Sequence, residues 1–341
     1  MFFALTDEQR ALQATVRDYL GDRFPLSAVR EVYDDPSGDG APAELWKAFG
    51  EQGWLAVLVP EEHDGLGLDL LDAVVLSRAF GAGAVPGPWL GTIVAGEAIR
   101  LAGSDEVQKT WLPRLAAGEV RLAFAPDLTQ PVEYAGVADA IVAVQDGALV
   151  LLEPSDYSVE PLAVMDRTTR LGRVTVTGGG TALEAGSASV VGSPVDQVLD
   201  RATVLVAADL SGIARESLTR TVQYDKDRVQ FGRPVGSFQA IKHHLADLHV
   251  SVTMAEHGVL FAAHALDAGL DDAKQAVSIA KAKASDSARE VTAAMIQYHG
   301  GIGYTWEHDA HFFFKRAKRE EYAYGSASEH REKLAKLLVD D

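Results

Sequence analysis

Arg228 and Arg233 flank a Phe-Gly turn in residues 227–247, DRVQFGRPVGSFQAIKHHLAD, just before a long helical pattern. Two guanidinium groups beside the exposed N–H groups of a helix start make a pyrophosphate cradle. The same composition also suits a plain helix–helix connection with surface arginines. Residues 297–303, QYHGGIG, place glycines directly after an alanine-rich helix. Missing side chains there leave room for a flat ligand or another backbone. A glycine-capped helix end would read the same way.

Other chemistry finds less support. His243, His244, His249, His257 and His264 cluster without an HExxH pair or carboxylates at ligand spacing, so they read as solvated or packing histidines and no metal site is expected. Gly178 to Gly180 lack the βαβ context of a dinucleotide fingerprint. No GxSxG elbow presents a serine nucleophile. With no cysteine in 341 residues, disulfides and thiolate chemistry are excluded. A formal net charge of −18 opposes nucleic-acid binding, which needs a basic surface. No run of 18 apolar residues suggests a membrane span, and MFFALTDEQR lacks the pattern of a signal peptide. A cytoplasmic protein is therefore expected.

The elements that must position these residues fall into three textures. Residues 1–118 read as helical: Thr6-Asp7-Glu8-Gln9 is a capping box, Pro42 precedes a second helix, LLDAVVLSRAFGAGA ends in glycines, and SDEVQKTWLPRLAAG is a further capped helix. Residues 119–196 read as strands. AIVAV and ALVLL around Asp146-Gly147 predict a hairpin, and RVTVTGGG and SASVVG predict further short strands. Residues 197–341 return to helix. Phe238, Ile241, Leu245, Leu248, Val252, Ala255, Val259 and Ala262 step by three and four and predict a packing seam. Ala276, Ala280, Ala284 and Ala288 predict close approach of a second helix.

Taken together, the two glycine- and arginine-bearing stretches resemble the acyl-CoA dehydrogenase family. RVQFGRPVGSFQAIKHHLAD resembles its FAD-binding turn and following helix, and QYHGGIGYTWEHDAHFFFKRA its second signature. VPEEHDGLGL and GSDEVQKTWLPRLAAGE resemble its N-terminal helical domain. The resemblance covers nearly the whole chain. It implies a mostly α fold with an N-terminal helical domain, a small middle β domain (here reduced) and a C-terminal four-helix bundle. It also implies α,β-dehydrogenation of an acyl-CoA thioester. A carboxylate removes the α-proton, the β-hydrogen leaves as hydride to flavin N5, and electrons pass to an electron-transferring flavoprotein. In such proteins the FAD crosses a subunit boundary. Carried onto this chain, the residues that grip its pyrophosphate and adenine end are Arg228, Phe231, Phe238 and Gln239, then Gln297, His299, Gly300 and Gly301.

This sequence departs from the family at the reacting end. Counted from Gly300-Gly301, the usual base position falls on Tyr324, before Gly325. A phenol, with a reference pKa of about 10, is a poor base at neutral pH. The family's alternative base position falls near Ala202, with Asp200 and Asp209 close by in sequence; Glu320 and Glu321 precede Tyr324. In the β domain, Ala123-Phe124-Ala125 stand before Pro126 where hydroxyl and carboxylate groups are expected, and a flavin-facing strand is missing. The expected function is thus the accessory subunit of an α2β2 acyl-CoA dehydrogenase. It would lend its nucleotide grip to a second, base-bearing subunit, as in actinobacterial steroid side-chain breakdown. Two alternatives are a self-sufficient homomeric enzyme with a relocated base and a non-catalytic acyl-CoA-binding scaffold.

Overall fold

The structure is a computed structural model that describes residues 4–183 and 193–339. Its helices are α1 (Asp7–Arg23), α2 (Leu26–Asp34), α3 (Ala43–Glu51), α4 (Leu70–Ala82), α5 (Trp89–Ala102) and α6 (Asp105–Ala116). Strands follow: β1 (Leu122–Ala125), β2 (Val132–Glu133), β3 (Ala140–Gln145), β4 (Ala148–Leu152), β5 (Tyr157–Leu162), β6 (Leu171–Val176) and β7 (Thr181–Leu183). Then come α7 (Pro194–Asp227), the ribbon β8 (Val229–Gln230) and β9 (Arg233–Pro234), α8 (Gln239–Asp267), α9 (Ala273–His299), α10 (Ala310–Glu320) and α11 (Ala327–Val339). The fold is mostly helical with a small β portion, as the sequence led us to expect. The strand predicted over SASVVG, residues 187–192, lies outside the described residues.

Local signals explain where the elements begin. The Thr6 hydroxyl accepts from Gln9 N and the Gln9 side chain accepts from Thr6 N, closing the predicted capping box on α1. Ser104 caps α6 in the same manner through Val107 N. Asp146 and Gly147 both take positive φ, 50° and 79°, which is the I′ turn that joins β3 to β4. After α4 the left-handed residue is Ala84 (φ 48°) and not a glycine. Gly83 is instead spared a clash, since a Cβ there would stand 2.9 Å from Val85 Cγ2.

The chain forms two compact units. One comprises Ser27–Ala73 and Pro86–Ala202. Its β1-β3-β4-β7 sheet pairs β1 with β3 in parallel and the rest antiparallel; β2-β6-β5 form a second, antiparallel sheet. Ala123, Ala125, Ile141, Ala143, Val150 and Leu152 share a buried apolar cluster with Val132 and Val174.

The other unit comprises Met1–Leu26, Val74–Val85 and Thr203–Asp341. Its core is the packing of α7, α8, α9 and α10. The predicted alanine stripe, Ala276, Ala280, Ala284 and Ala288, is buried throughout, and Leu245, Leu248, Val252, Ala255, Val259 and Ala262 bury the facing seam of α8. Phe312 and Phe313 of α10 are fully buried, each side chain worth about 1.5–3 kcal/mol in removed apolar surface. The α4 and α7 backbones cross closely at Gly81 and Gly212, where a Cβ would stand 2.2 Å from Asp209 O and 2.0 Å from Arg78 O.

Candidate functional site

The chain reverses immediately after α7. Arg228 N donates to Tyr224 O, and Val235 N donates to Arg228 O, both at 2.8 Å. Between them β8 and β9 pair Val229 with Pro234 and Gln230 with Arg233. Phe231 and Gly232 are left as a two-residue turn at φ 53° and 76°. A phenylalanine seldom takes that conformation, yet its side chain is 92 % exposed. A two-residue hairpin turn requires positive φ at both positions, and here the first of them is a solvent-exposed aromatic residue. Phe231 stands edge-on to Phe238, with centroids 6.2 Å apart. The Arg233 guanidinium carbon lies 3.9 Å from the Phe238 ring centre, a close cation–π contact. Phe238 is the N-cap of α8, no side chain caps it, and Gln239 opens the helix. The helix start, Arg228 and Arg233 all face solvent and together favour an anion.

The second stretch sits beside the first. Tyr224 of α7 stacks on His299 of α9 (4.3 Å, 27°) and donates from its hydroxyl to the His299 carbonyl at 3.3 Å. His244 Nδ1 lies 2.5 Å from the Tyr298 hydroxyl, tying α8 to the same end of α9. His299 Nδ1 donates to Met295 O at 2.7 Å. Burial lowers its pKa, with His308 and Arg220 adding to the shift and the Met295 bond opposing it. The ring is therefore neutral at pH 7. Gly300 needs its left-handed φ of 64° to end α9, and Gln297 is exposed in the last turn. No heavy atom stands within 4 Å of where a Cβ on Gly300 or Gly301 would be. Of the eight residues expected to grip a nucleotide, all lie at this junction of α7, α8 and α9.

The positions expected to carry a base lie elsewhere. Tyr324 takes φ 57° in the loop between α10 and α11. Its carbonyl accepts from His330 Nε2 at 3.0 Å. The buried Lys281 ammonium spans the loop, donating to Glu321 O (3.0 Å), Gly325 O (2.8 Å) and Ser285 Oγ (3.2 Å). Glu321 is buried against Arg289 (3.2 Å) and Lys318 (2.7 Å), and Glu320 is buried against Arg319 (2.9 Å). Asp209 is buried in a two-pronged pair with Arg316 at 2.9 and 2.6 Å; Arg316 also donates to Val85 O. Ala202 is fully buried and Asp200 half-buried. β1 buries Ala123, Phe124 and Ala125, and Ala123 and Ala125 belong to the sheet's own apolar cluster.

Three residues escaped the sequence reading. Tyr224 welds the two motifs together. Asp225 is buried, and neither carboxylate oxygen has a hydrogen-bond partner. Lys281 sits fully buried beside the alanine stripe. A signal existed for the last two: Asp225 follows Leu218 and Thr221 in the buried phase of α7, and Lys281 lies one residue from Ala280.

Comparison with known proteins agrees with this geometry. Residues 6–119 match the model described as acyl-CoA dehydrogenase, N-terminal domain, and residues 195–339 match acyl-CoA dehydrogenase, C-terminal domain. The chain belongs to the acyl-CoA dehydrogenase family. This family is one of FAD-dependent oxidoreductases. Among its relatives is acyl-CoA dehydrogenase IpdE2 of Mycobacterium tuberculosis, 36% identical over 91% of both chains. IpdE2 of Mycolicibacterium smegmatis is 35% identical, over 98% of this chain and 99% of its own. Among solved structures, the Tcur3481-Tcur3483 steroid ACAD G363A variant superposes with a TM-score of 0.88 at 27% identity, covering 98% of both chains. The ChsE4-ChsE5 complex from Mycobacterium tuberculosis, at 24% identity and a TM-score of 0.89 over the whole of both chains, shares the fold.

Proposed function

We propose that this chain is the accessory subunit of a heteromeric, FAD-dependent acyl-CoA dehydrogenase, and that it grips the nucleotide tail of a flavin whose reactive ring and base belong to a partner subunit. One asymmetry carries the reading. The α7–α8 turn is exposed and carries Arg228 and Arg233, and Gly300 and Gly301 at the end of α9 are open, whereas three of the four carboxylates near the base positions are buried in ion pairs.

The exposed residues fit the tail of FAD. Arg228 and Arg233 offer planar donors to the pyrophosphate oxygens, which the free start of α8 also attracts. Phe231 supplies a flat apolar face, and the open space over Gly300 and Gly301 admits a ring. Neutral His299, fixed by Met295 and Tyr224, keeps that turn in place without adding charge. Bound FAD supplies the hydride acceptor for α,β-dehydrogenation. The ring end fits less well. β1 turns apolar residues inward, and a carbonyl edge left without donors loses binding. Tyr324, at the position usual for a carboxylate, brings a phenol in its place.

The likeness to a steroid ACAD and to two IpdE2 proteins supports a bulky acyl-CoA thioester as substrate. The two-component names among the structural neighbours support a second acyl-CoA dehydrogenase-like subunit as partner, and the family's redox chemistry supports an electron-transferring flavoprotein as acceptor. Isolation of the complex from the native host, with flavin measured per chain, tests the reading. The expected result is about one flavin per heterodimer, with flavin content falling when Arg228 is replaced by Ala. A homogeneous preparation of this chain that carries full flavin and oxidises acyl-CoA would overturn it, as would an Arg228→Ala complex with undiminished flavin.

A further inference from the structure

A cavity of about 750 Å³ lies between α7 and α8, within the volume range of small-molecule sites. None of the eight residues proposed to grip the nucleotide lines it. Along α7 its wall is Arg215, Leu218, Val222 and Asp225, spaced by three, four and three residues on one helix face. Leu245, Ala246 and His249 line the α8 side. The two ends differ. At the turn end sits Asp225, 1 % exposed, with neither carboxylate oxygen hydrogen-bonded. Gly236 lets the turn close over it, since a Cβ there would stand 3.1 Å from Asp225 O and 3.3 Å from Asp225 Cβ. Burial alone raises the Asp225 pKa, so the exposed Lys226 and Lys242 at the same end do not compensate the carboxylate. They do oppose the entry of a second cation.

At the far end Arg215 and Arg78 share Glu256, at 2.5 and 2.7 Å, so two positive charges face one negative. Arg215 Nη1 also donates to His249 Nδ1 at 3.2 Å. His249 therefore carries its proton on Nε2 and offers it as a donor. Ten residues of α7 separate Arg215 from Asp225, which sets the polar ends about 15 Å apart. Leu218, Val222 and Leu245 make the stretch between them apolar. The cavity volume spread over that length gives a mean cross-section of about 50 Å², broader than a single alkyl chain. A buried acceptor without a donor bears its full desolvation cost, and a neutral hydroxyl relieves it without meeting repulsion from the lysines. We infer that this cavity binds the free acid of a hydroxylated polycycle, its hydroxyl donating to Asp225 and its carboxylate held by Arg215 and His249.

Lithocholate and 5β-cholanate serve as probes, because they differ only in the hydroxyl remote from the carboxylate. Equilibrium dialysis below their micellar concentrations is run on the native complex and on the full-length chain. Lithocholate is expected to bind about tenfold more tightly than cholanate, or better. Asp225→Leu should erase that preference, whereas Asp225→Asn, which keeps an acceptor oxygen, should retain it. Ala246→Trp fills the cavity from an exposed position and should weaken both probes by about tenfold or more. His249→Glu should also weaken both, by repelling their carboxylates. Equal binding of the two probes, or a preference that survives Asp225→Leu, would overturn the inference. Binding by the lone chain that vanishes in the complex would overturn it too, since the partner subunit would then cover the cavity. Flavin per chain in the complex is expected to stay constant across these variants. A failure of the cavity is thereby distinguished from a failure of the nucleotide grip.

Discussion

Phe231 holds a left-handed φ on an exposed two-residue turn, a conformation that costs an L-residue about 1–2 kcal/mol. Replacing it with Gly should therefore raise the thermal midpoint of the chain while lowering flavin retention in the complex; calorimetry and flavin absorbance report the two effects separately. Asp225 poses the opposite problem. Burial lifts its pKa from 3.8 to about 6, and neither carboxylate oxygen is paired. The folded chain thus keeps a proton that the unfolded chain has released between those values. The stability contributed by this proton is complete below pH 3.8 and is lost as pH rises through about 6. Asp225→Asn should accordingly stabilise the chain by about 1–3 kcal/mol at pH 8. The gain should fade as the pH falls below 6 and vanish near 4, as denaturant titrations at several pH values would show. An equal gain at all pH values would mean that shape, and not charge, is at issue.

At the scale of elements, two buried cations fasten helices together. Arg316 of α10 grips Asp209 of α7 with two bonds and the Val85 carbonyl with a third. Taking one partner from such a pair leaves an unmatched charge. Asp209→Ala should cost about 3–5 kcal/mol, and Arg316→Met in the same chain should recover part of the loss; urea unfolding of the single and double variants measures both. Lys281 of α9 likewise spans the loop that carries Tyr324, accepting no compromise in geometry because it is wholly enclosed. Burial lowers its pKa to about 8, although Glu320, Glu321 and Glu329 counter the shift. His330, its pKa lowered to about 4 mainly by burial, donates as a neutral ring to the Tyr324 carbonyl. The backbone around the usual base position is thus built with care, even though the side chain there is a phenol.

For the whole molecule, the contrast is between an exposed, arginine-bearing turn proposed to grip a nucleotide and acidic side chains committed to internal pairs. That contrast predicts poor flavin retention by the chain alone and recovery on co-purification with its partner. Gel filtration with absorbance at the flavin band checks it; full retention by the lone chain would contradict it. Among the described residues no helix is long and apolar enough to cross a membrane.

Much of this was legible in the residues themselves. The capping box at Thr6, the Asp146-Gly147 hairpin and the alanine stripe depend on interactions within a few residues or one helical turn, so their spelling suffices. The proposed grip residues could be named from the sequence for the same reason, since Arg228 to Gln239 and Gln297 to Gly301 are each one continuous stretch. What a carboxylate does was not. Asp209 meets Arg316 across 107 residues, Lys281 meets Gly325 across 44, and Asp225 meets no hydrogen-bond partner at all. No local pattern encodes such distances. The sequence by itself determined the helices, the turns and the two continuous stretches proposed to grip a nucleotide. Only the tertiary structure decided which charges are exposed and which are spent on holding the fold, because the cost of burying a charge depends on what the folded chain brings beside it.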